Sequence, residues 1–425
     1  MKKNIFVILM LSALIPTLNA CNYDINNAQL FVRNANVNSS SNIKNVILFI
    51  GDGMGLGQIE AAEIKKGKDL SFHNKDDSSW TYHGYVNTDS VTSNGFTLDE
   101  TKSLIRPNQN KTLYDNADSP YSADGNYASN TCYTDSAAGG TALATGRKTT
   151  NASIGISPLG EELENLVEIA SGLGKKTGVL STDTLDGATP SAFLAHADER
   201  HQSDELIKDA AKCDANLIMT VKPSSWSTTY EKQFKANNFH FATSFETTSI
   251  SSQKELVLFD NLLAGSTLTP SLADLTIYAL DKLDNEEGFF LMIEGANIDK
   301  AAHSHQAGTM IQETLGLDEA VNVASSWAKA RNDTIIVVTA DHETGAVYFD
   351  KNKANQNNIY DEVKFLSSNH SRSRVPISVY GDIDEFLNTY ESILNKQGII
   401  DMGLEDECSN YIDNTDVFKL CASYL

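Results

Sequence analysis

The sequence predicts an α/β fold in which helices sandwich a mostly parallel central sheet. Short apolar, β-branched runs recur along the chain, and amphipathic helical patterns lie between them. Several of these runs end in carboxylate or imidazole side chains. Because ligands bind beyond the carboxyl ends of the strands in open parallel sheets, this arrangement indicates a functional site at that edge.

Six runs are predicted to be strands, and the first of them has the composition of a strand that is covered on both faces. They span residues 46–50, 177–180, 215–221, 288–293, 334–339 and 375–380. Helical spacing of apolar residues appears at 163–173 and 309–329. Two long polar segments, near 89–130 and 222–267, are predicted to be irregular surface insertions. We therefore expect one α/β domain over residues 44–425.

The charge of the chain excludes one class of partner. The 425 residues include 56 acidic and 33 basic side chains, which gives a net charge of −23. A nucleic-acid-binding protein needs a field that neutralises phosphates, so that function is not expected. An anionic substrate remains possible if metals or arginine supply local positive charge.

The first twenty residues are typical of a secretory signal peptide. A short basic opening, Met1-Lys2-Lys3, precedes an apolar stretch at 5–15 that is too short to span a bilayer. The stretch Leu-Asn-Ala-Cys, which ends at Cys21, resembles a bacterial lipobox. We expect lipidation of Cys21 over ordinary cleavage, a flexible Asn- and Ser-rich tether over 21–43, and a periplasmic or outer-membrane-anchored protein.

Four further cysteines are compatible with disulfides in an exported protein. Cys408 and Cys421 are close in sequence and form the favoured pair, and Cys132 with Cys213 is a weaker possibility. No Cys-x-x-Cys spacing occurs, so a cysteine metal site is not expected.

Each polar residue at a strand end has an ordinary structural explanation when it is taken alone. A turn explains Asp52, a solvated helix face explains the spacing of Asp299 and His303, and most lone histidines are structural. Together, however, three histidines and three carboxylates collect at strand exits, and this set suits zinc. The six are Asp52, Asp299, His303, Asp341, His342 and His370. Thr189 and Glu294 add oxygen ligands of the kind that Mg²⁺ prefers.

Ser136 begins a run of small residues at which a helix can start. Such a serine is either a plain cap or a nucleophile, and the small neighbours favour the second by letting other groups approach. No Gly-x-Ser-x-Gly elbow surrounds it, so we expect activation by metal. Arg200, one of few arginines, can bind two phosphoryl oxygens or can be a surface residue.

The chain resembles the alkaline phosphatase family from about residue 45 to about residue 381. The resemblance rests on the joint occurrence of several motifs in order. They are Gly51-Asp52-Gly53-Met54, Thr134-Asp135-Ser136-Ala137, Ala188-Thr189-Pro190, the segment ending in Arg200, Glu294-Gly295-Ala296-Asn297-Ile298-Asp299-Lys300 with His303, Thr339-Ala340-Asp341-His342-Glu343 and Asn369-His370.

This resemblance implies an alkaline-phosphatase-like fold, a homodimer, and a role for each matched residue. Ser136 would form a phosphoserine with small phosphate monoesters, while Asp135, Arg200 and Lys300 would lie at the substrate. The implied metals are two zinc ions and one magnesium ion. Their ligands would be Asp299, His303 and His370 for one zinc, Asp52, Asp341 and His342 for the other, and Asp52, Thr189 and Glu294 for magnesium.

One departure from the family concerns the magnesium site. Many relatives carry Asp or His two residues before the metal-binding threonine, whereas this chain has Gly187. His196 and His305 match no ligand position, and we expect a structural role for the first and a surface or outer role for the second. The alternatives are a phosphodiesterase of the same superfamily and a non-catalytic zinc-binding lipoprotein. A sulfatase would need a different sequence after the nucleophile than Ala137-Ala138-Gly139.

Overall fold

The structure is a computed structural model that describes residues 42–90, 133–384, 386–387 and 411–425. These residues belong to a unit that begins at Ser41. The predicted signal peptide, the lipidation at Cys21, nearly all of the tether, and most of the insertion near 89–130 lie outside them. None of the helices in these ranges has the length and apolar character that crossing a membrane requires.

Each of the six predicted apolar runs contains or overlaps a strand, and the described residues form eight further strands that the sequence did not indicate. In chain order, β1 to β14 are Asn45–Gly51, Trp80–Asn87, Lys176–Thr184, Leu217–Val221, Phe239–Ala242, Lys254–Phe259, Phe289–Gly295, Thr334–Thr339, Glu343–Thr344, Val347–Tyr348, Lys364–Phe365, His370–Ser371, Val375–Tyr380 and Tyr411–Asp413.

Ten of these strands form one sheet in the order β14-β2-β13-β8-β1-β7-β3-β4-β6-β5. β13 runs antiparallel to both of its neighbours, and the other pairs in the sheet are parallel. The predicted mostly parallel α/β fold is thus confirmed. β1 and its two neighbours β7 and β8 are buried along their whole length. Since successive side chains point to opposite faces, both faces of the central sheet are covered.

The helices connect the strands and pack on the sheet. In chain order, α1 to α11 are Leu56–Lys66, Ser136–Thr145, Leu166–Gly172, Ala188–Ala192, Ser203–Ala210, Thr228–Ala236, Leu272–Leu283, Asn297–His303, Ala307–Lys329, Ile359–Glu362 and Asn414–Ser423, with a short 3₁₀ turn at Phe245–Thr247. The predicted helices at 163–173 and 309–329 correspond to α3 and α9.

The prediction of an irregular insertion near 222–267 was wrong. This segment contributes α6 and the strands β5 and β6, which form one edge of the large sheet. Trp226 packs against Tyr230, Phe234 and Phe241 and closes a small aromatic core there. The many Ser and Thr residues before and after β6 concealed this short apolar strand in the sequence.

Two of the cysteines can be placed. Cys213 and Cys421 form no disulfide with another described residue, and burial raises the pKa of each thiol to about 12. Cys132 and Cys408 lie outside the described residues, so the pairings of Cys408 with Cys421 and of Cys132 with Cys213 stay predictions.

Candidate active site

Three adjacent strands end at the same level and deliver acidic side chains to one place. Ile50 of β1 lies opposite Glu294 of β7 on one side and Thr339 of β8 on the other. Asp52 directly follows β1, and Asp341 follows β8 by two residues. The parallel register therefore brings together carboxylates that are almost 300 residues apart in the chain.

Two further elements complete the cluster. The short helix α8 carries Asp299 and His303 four residues apart, so their side chains share one face. The short strand β12 carries His370, which pairs antiparallel with Thr344 of β9. The Ser371 hydroxyl donates a hydrogen bond to the buried Glu343 carboxylate and fixes this pairing.

Asp299, His303 and His370 form the first group able to hold a metal. The His303 Nε2 lies 3.1 Å from the His370 Nε2 and 3.2 Å from the Asp299 Oδ1. The His370 Nε2 lies 3.6 Å from that same oxygen. One carboxylate oxygen and two imidazole nitrogens that converge in this way match the N and O ligands of zinc.

Asp52, Asp341 and His342 form the second group, and all three are buried. The His342 Nε2 lies 3.2 Å from the Asp341 Oδ2 and 3.6 Å from the Asp52 Oδ1. The rings of His342 and His370 stack with centroids 3.6 Å apart, so the two groups are neighbours.

The other ring nitrogen of each histidine is occupied. The His303 Nδ1 donates to the Ser368 carbonyl at 2.6 Å, and the His370 Nδ1 donates to the Thr134 carbonyl at 2.7 Å. The His342 Nδ1 lies 3.2 Å from the Thr344 hydroxyl. These partners orient the rings and leave each Nε2 facing the centre, as in metal-binding histidines.

Glu294 lies on the strand next to the one that leads to Asp52, and Thr189 lies against Gly140 of α2. These residues and the second group include four buried oxygens without a hydrogen-bond partner in the described structure. They are the Asp52 Oδ1, the Asp341 Oδ2, the Glu294 Oε1 and the Thr189 Oγ1. Buried oxygens normally have partners, because an unsatisfied polar atom costs about 1–3 kcal/mol. Cations would satisfy all four, so the residues present fit the two zinc ions and one magnesium ion that the family resemblance implies.

The electrostatics of the cluster support the same interpretation. Burial, then the charges of other carboxylates, raise the pKa of Asp52 well above its usual value, and raise those of Asp341 and Glu294 to about 7 and about 8. Burial also lowers the pKa of His370 to about 4, so its ring is neutral near pH 7. Neutral imidazoles beside crowded carboxylates are what a bound cation stabilises.

Ser136 is the first residue of α2, and its hydroxyl reaches the second group. The Ser136 Oγ lies 3.2 Å from the His342 Nε2. Glycines make this approach possible: a Cβ on Gly139 would lie 2.9 Å from the Asp341 carbonyl oxygen, and one on Gly140 would lie 3.3 Å from the Thr189 Cα. The small residues after Ser136 thus pack the helix directly against the ligand-bearing segments.

Asp135 caps α2 and also orients Arg200. The Asp135 Oδ1 accepts from the Ala138 N–H at 2.9 Å, and its Oδ2 accepts from the Ala152 N–H at 3.0 Å. The Arg200 Nη1 donates to that same Oδ2 at 3.2 Å. The carboxylate next to Ser136 is therefore also an anchor for the guanidinium.

Lys300, His305 and His196, which the sequence analysis also considered, lie in different environments. The half-exposed Lys300 pairs with Asp183 at 2.5 Å. His305 stacks on Phe365, and its Nε2 lies 2.9 Å from the Ser367 carbonyl oxygen, so it contacts the segment that precedes His370. The His196 Nε2 donates a hydrogen bond to the Leu163 carbonyl oxygen, which is a structural contact.

The sequence did not single out Thr344, which links the two groups. The Thr344 hydroxyl donates to the Asp299 Oδ1 at 2.5 Å and lies beside the His342 Nδ1. Its position two residues after His342 is the signal that could have identified it. Gly53 makes room for it, because a Cβ there would lie 2.8 Å from the Thr344 Oγ1.

Comparison with known proteins agrees with this architecture. The family model "Alkaline phosphatase" matches residues 97–222 and 251–406, well over half of the chain. Alkaline phosphatase 4 of Bacillus subtilis is 32% identical in a 321-residue alignment that covers 71% of this chain and 62% of that protein. Escherichia coli alkaline phosphatase is 29% identical over 49% of this chain and 58% of its own length. The chain thus spans about three fifths of the length of each of these two relatives.

Solved structures give a similar result. The alkaline phosphatase of the Antarctic bacterium TAB5 matches with a TM-score of 0.65 and 25% identity, over 90% of this chain and 97% of that one. A histidine-to-glutamate variant of that enzyme has Mg bound in its M3 site. The Thermus thermophilus enzyme, at 18% identity and a TM-score of 0.64, shares the fold over 91% of this chain and 92% of its own. With well over half of its length matched by the family model, the chain belongs to the alkaline phosphatase family.

Proposed function

We propose that this chain hydrolyses phosphate monoesters through a phosphoserine formed on Ser136. The observation that carries the proposal is the position of the Ser136 hydroxyl, 3.2 Å from the His342 Nε2 at the edge of two potential metal groups. A serine hydroxyl is a weak nucleophile on its own, and this location gives it the activation that it needs.

The metal ligands in the proposal are the residues described above. Asp299, His303 and His370 would hold one zinc, and Asp52, Asp341 and His342 the other. Asp52 would also contact magnesium, together with the Thr189 hydroxyl and Glu294. Bound there, these ions lower the pKa of the nucleophile and stabilise charge on the entering and leaving oxygens.

The chain's own residues position the substrate and carry the first bond change. The guanidinium of Arg200, anchored on Asp135, binds two oxygens of the phosphoryl group and holds phosphorus in front of Ser136. The Ser136 Oγ, after giving its proton to solvent water, forms a bond to phosphorus in line with the ester oxygen. The bond between phosphorus and the ester oxygen breaks, and the released alkoxide takes a proton from water. Water then cleaves the phosphoserine, which releases phosphate and restores the hydroxyl.

The test compares p-nitrophenyl phosphate, bis-p-nitrophenyl phosphate and p-nitrophenyl sulfate on protein loaded with zinc and magnesium. We expect turnover of the monoester to exceed that of the other two. Ser136→Ala should lose most monoesterase activity, while Ser378→Ala, a buried serine on β13, should keep it. Preferred turnover of the diester would favour the phosphodiesterase alternative, and no turnover of any ester would favour a non-catalytic zinc protein.

We further propose that the protein is exported, carries a lipid on Cys21, and forms a homodimer. The support is the basic opening, the apolar stretch and the lipobox-like sequence at residues 18–21, together with the dimers that the family resemblance implies. Detergent phase partitioning of the full chain against Cys21→Ala tests the anchor, and sedimentation equilibrium of the Cys21→Ala protein tests the dimer.

A further inference from the structure

Gly187 precedes α4, the short helix that carries Thr189, and a neighbouring carboxylate explains why it lacks a side chain. Its backbone angles, φ −62° and ψ 150°, are ones that any residue adopts. A Cβ at this position, however, would lie 2.5 Å from the Asp183 Oδ2 and 2.6 Å from the Asp183 Cγ. The space in which a side chain of residue 187 would begin is occupied by the carboxylate of Asp183.

The carboxylate of Asp183 is held in place through one of its oxygens. Its Oδ1 accepts from the backbone N–H of Thr184 at 2.8 Å and from the Lys300 Nζ at 2.5 Å. Among the residues that the structure describes, the Oδ2 has no hydrogen-bond donor. Asp183 lies at the end of β3, next to β7 and its Glu294.

The charge of Asp183 affects the predicted magnesium ligands, which shows that it lies near them. After burial, the negative charge of Asp183 is the largest influence that raises the pKa of Glu294, and it contributes to the raised pKa of Asp52. Although burial opposes it, the charges of Asp183, Glu294 and Asp52 raise the pKa of Lys300. Asp183 and Lys300 therefore border the group in which the Glu294 Oε1 and Thr189 Oγ1 have no partner.

We propose that Asp183 completes the magnesium site of this chain, in place of the acidic or imidazole side chain that family resemblance expects at position 187. Lys300 holds the Asp183 Oδ1, which leaves the Oδ2 to accept a hydrogen bond from the water shell that Mg²⁺ retains in proteins. Asp183 is thus a positioning residue for the cation. The inference rests on the proposed function, since it specifies the third metal of the same site.

The test measures Mg²⁺ affinity by titrating MgCl₂ into zinc-loaded protein in a calorimeter. Asp183→Asn should weaken Mg²⁺ binding by about 10- to 100-fold, the usual effect of losing an outer partner of a metal, without changing the zinc content. Asp186→Asn, in the same loop, is the matched control and should bind Mg²⁺ like the parent. The double variant Asp183→Ala/Gly187→Asp has its carboxylate at position 187, as the family resemblance expects. We expect its Mg²⁺ affinity to be within about threefold of that of the parent.

Several outcomes would overturn the inference. Parental Mg²⁺ affinity in Asp183→Asn is one, and a swapped double variant that binds no better than Asp183→Ala alone is another. A loss of zinc as well as Mg²⁺ from folded Asp183→Asn would show a general structural role. If the parent hydrolyses the monoester and binds Mg²⁺ while Asp183→Asn does the same, only this inference fails. If the parent does neither, the proposed function fails as well.

Discussion

A methyl group added to Gly53 should disturb the fold beside the two groups of potential metal ligands. Gly160 provides a reference within the same chain for the size of this effect. Gly53 and the exposed turn residue Gly160 both have left-handed backbone conformations, with φ +70° and φ +81°. A Cβ on Gly53 would lie 2.8 Å from the Thr344 Oγ1 and 3.0 Å from the Asp299 Cα. A Cβ on Gly160 would meet nothing within 4 Å.

The difference between the two positions isolates the steric contribution. A left-handed conformation costs an alanine about 1–2 kcal/mol, and reduced freedom of the unfolded chain returns about 0.4–1 kcal/mol. Gly160→Ala should therefore lose about 1 kcal/mol of the free energy of unfolding. Overpacking adds about 1–3 kcal/mol at Gly53, so Gly53→Ala should lose about 2–4 kcal/mol.

Urea unfolding of both metal-free variants, followed by circular dichroism, measures these free energies. Zinc content of the purified variants provides a second measure, because the intruding methyl group pushes on Thr344 and on the backbone of Asp299. Equal losses for the two variants, with normal zinc binding in Gly53→Ala, would refute the steric argument.

Three more predictions concern charge and hydrogen bonds at the site. Arg200→Ala should raise KM for a phosphate monoester, because the charged hydrogen bonds to the phosphoryl group disappear. We expect kcat/KM to fall about 10- to 100-fold, a loss of ~1.4–2.7 kcal/mol in transition-state stabilisation. Steady-state kinetics that give the parental KM would contradict this prediction. Metal-free protein should lose stability as the pH rises from 6.5 to 8.5. In the folded state Asp341 and Glu294 have pKa values of about 7 and about 8, so at the lower pH they hold protons that the unfolded chain does not hold. A thermal midpoint that stays constant or rises over this pH range would contradict the prediction. Thr344→Val should weaken zinc binding about tenfold, as measured by competition with a chelator, because the Thr344 hydroxyl orients Asp299 and His342. Thr344→Ser keeps a hydroxyl and should bind zinc like the parent. Equal zinc affinity of the two variants would contradict this role of the hydroxyl.

Much of the fold could be predicted because its central strands carry a strong local signal. β8 and β13 begin and end at the residues that the apolar runs indicate, since both strands are buried and few polar residues interrupt them. β2 and β5 were missed because their residues are only partly buried and mix aromatic with polar side chains. The edges of a sheet leave a weaker pattern in sequence than its centre.

The candidate site shows the same division between local and tertiary signals. The ends of the predicted strands and the family motifs indicated the proposed metal ligands, because each of these residues lies in a short, recognisable stretch of sequence. Thr344 and the relation of Asp183 to Gly187 could not be predicted in this way. The first depends on which side chains the hydroxyl reaches, and the second on a carboxylate and a glycine four residues apart that compete for one volume.

The order of the site residues along the chain has a consequence for synthesis. Ser136 leaves the ribosome 206 residues before His342, which contributes to the second metal group, and His370 follows later still. A nascent or truncated product that stops between them carries the Ser136 hydroxyl without the residues proposed to activate it. If the chain cleaves phosphoesters as we propose, translation itself delays that reaction until most of the polypeptide has been made, without a separate inhibitor.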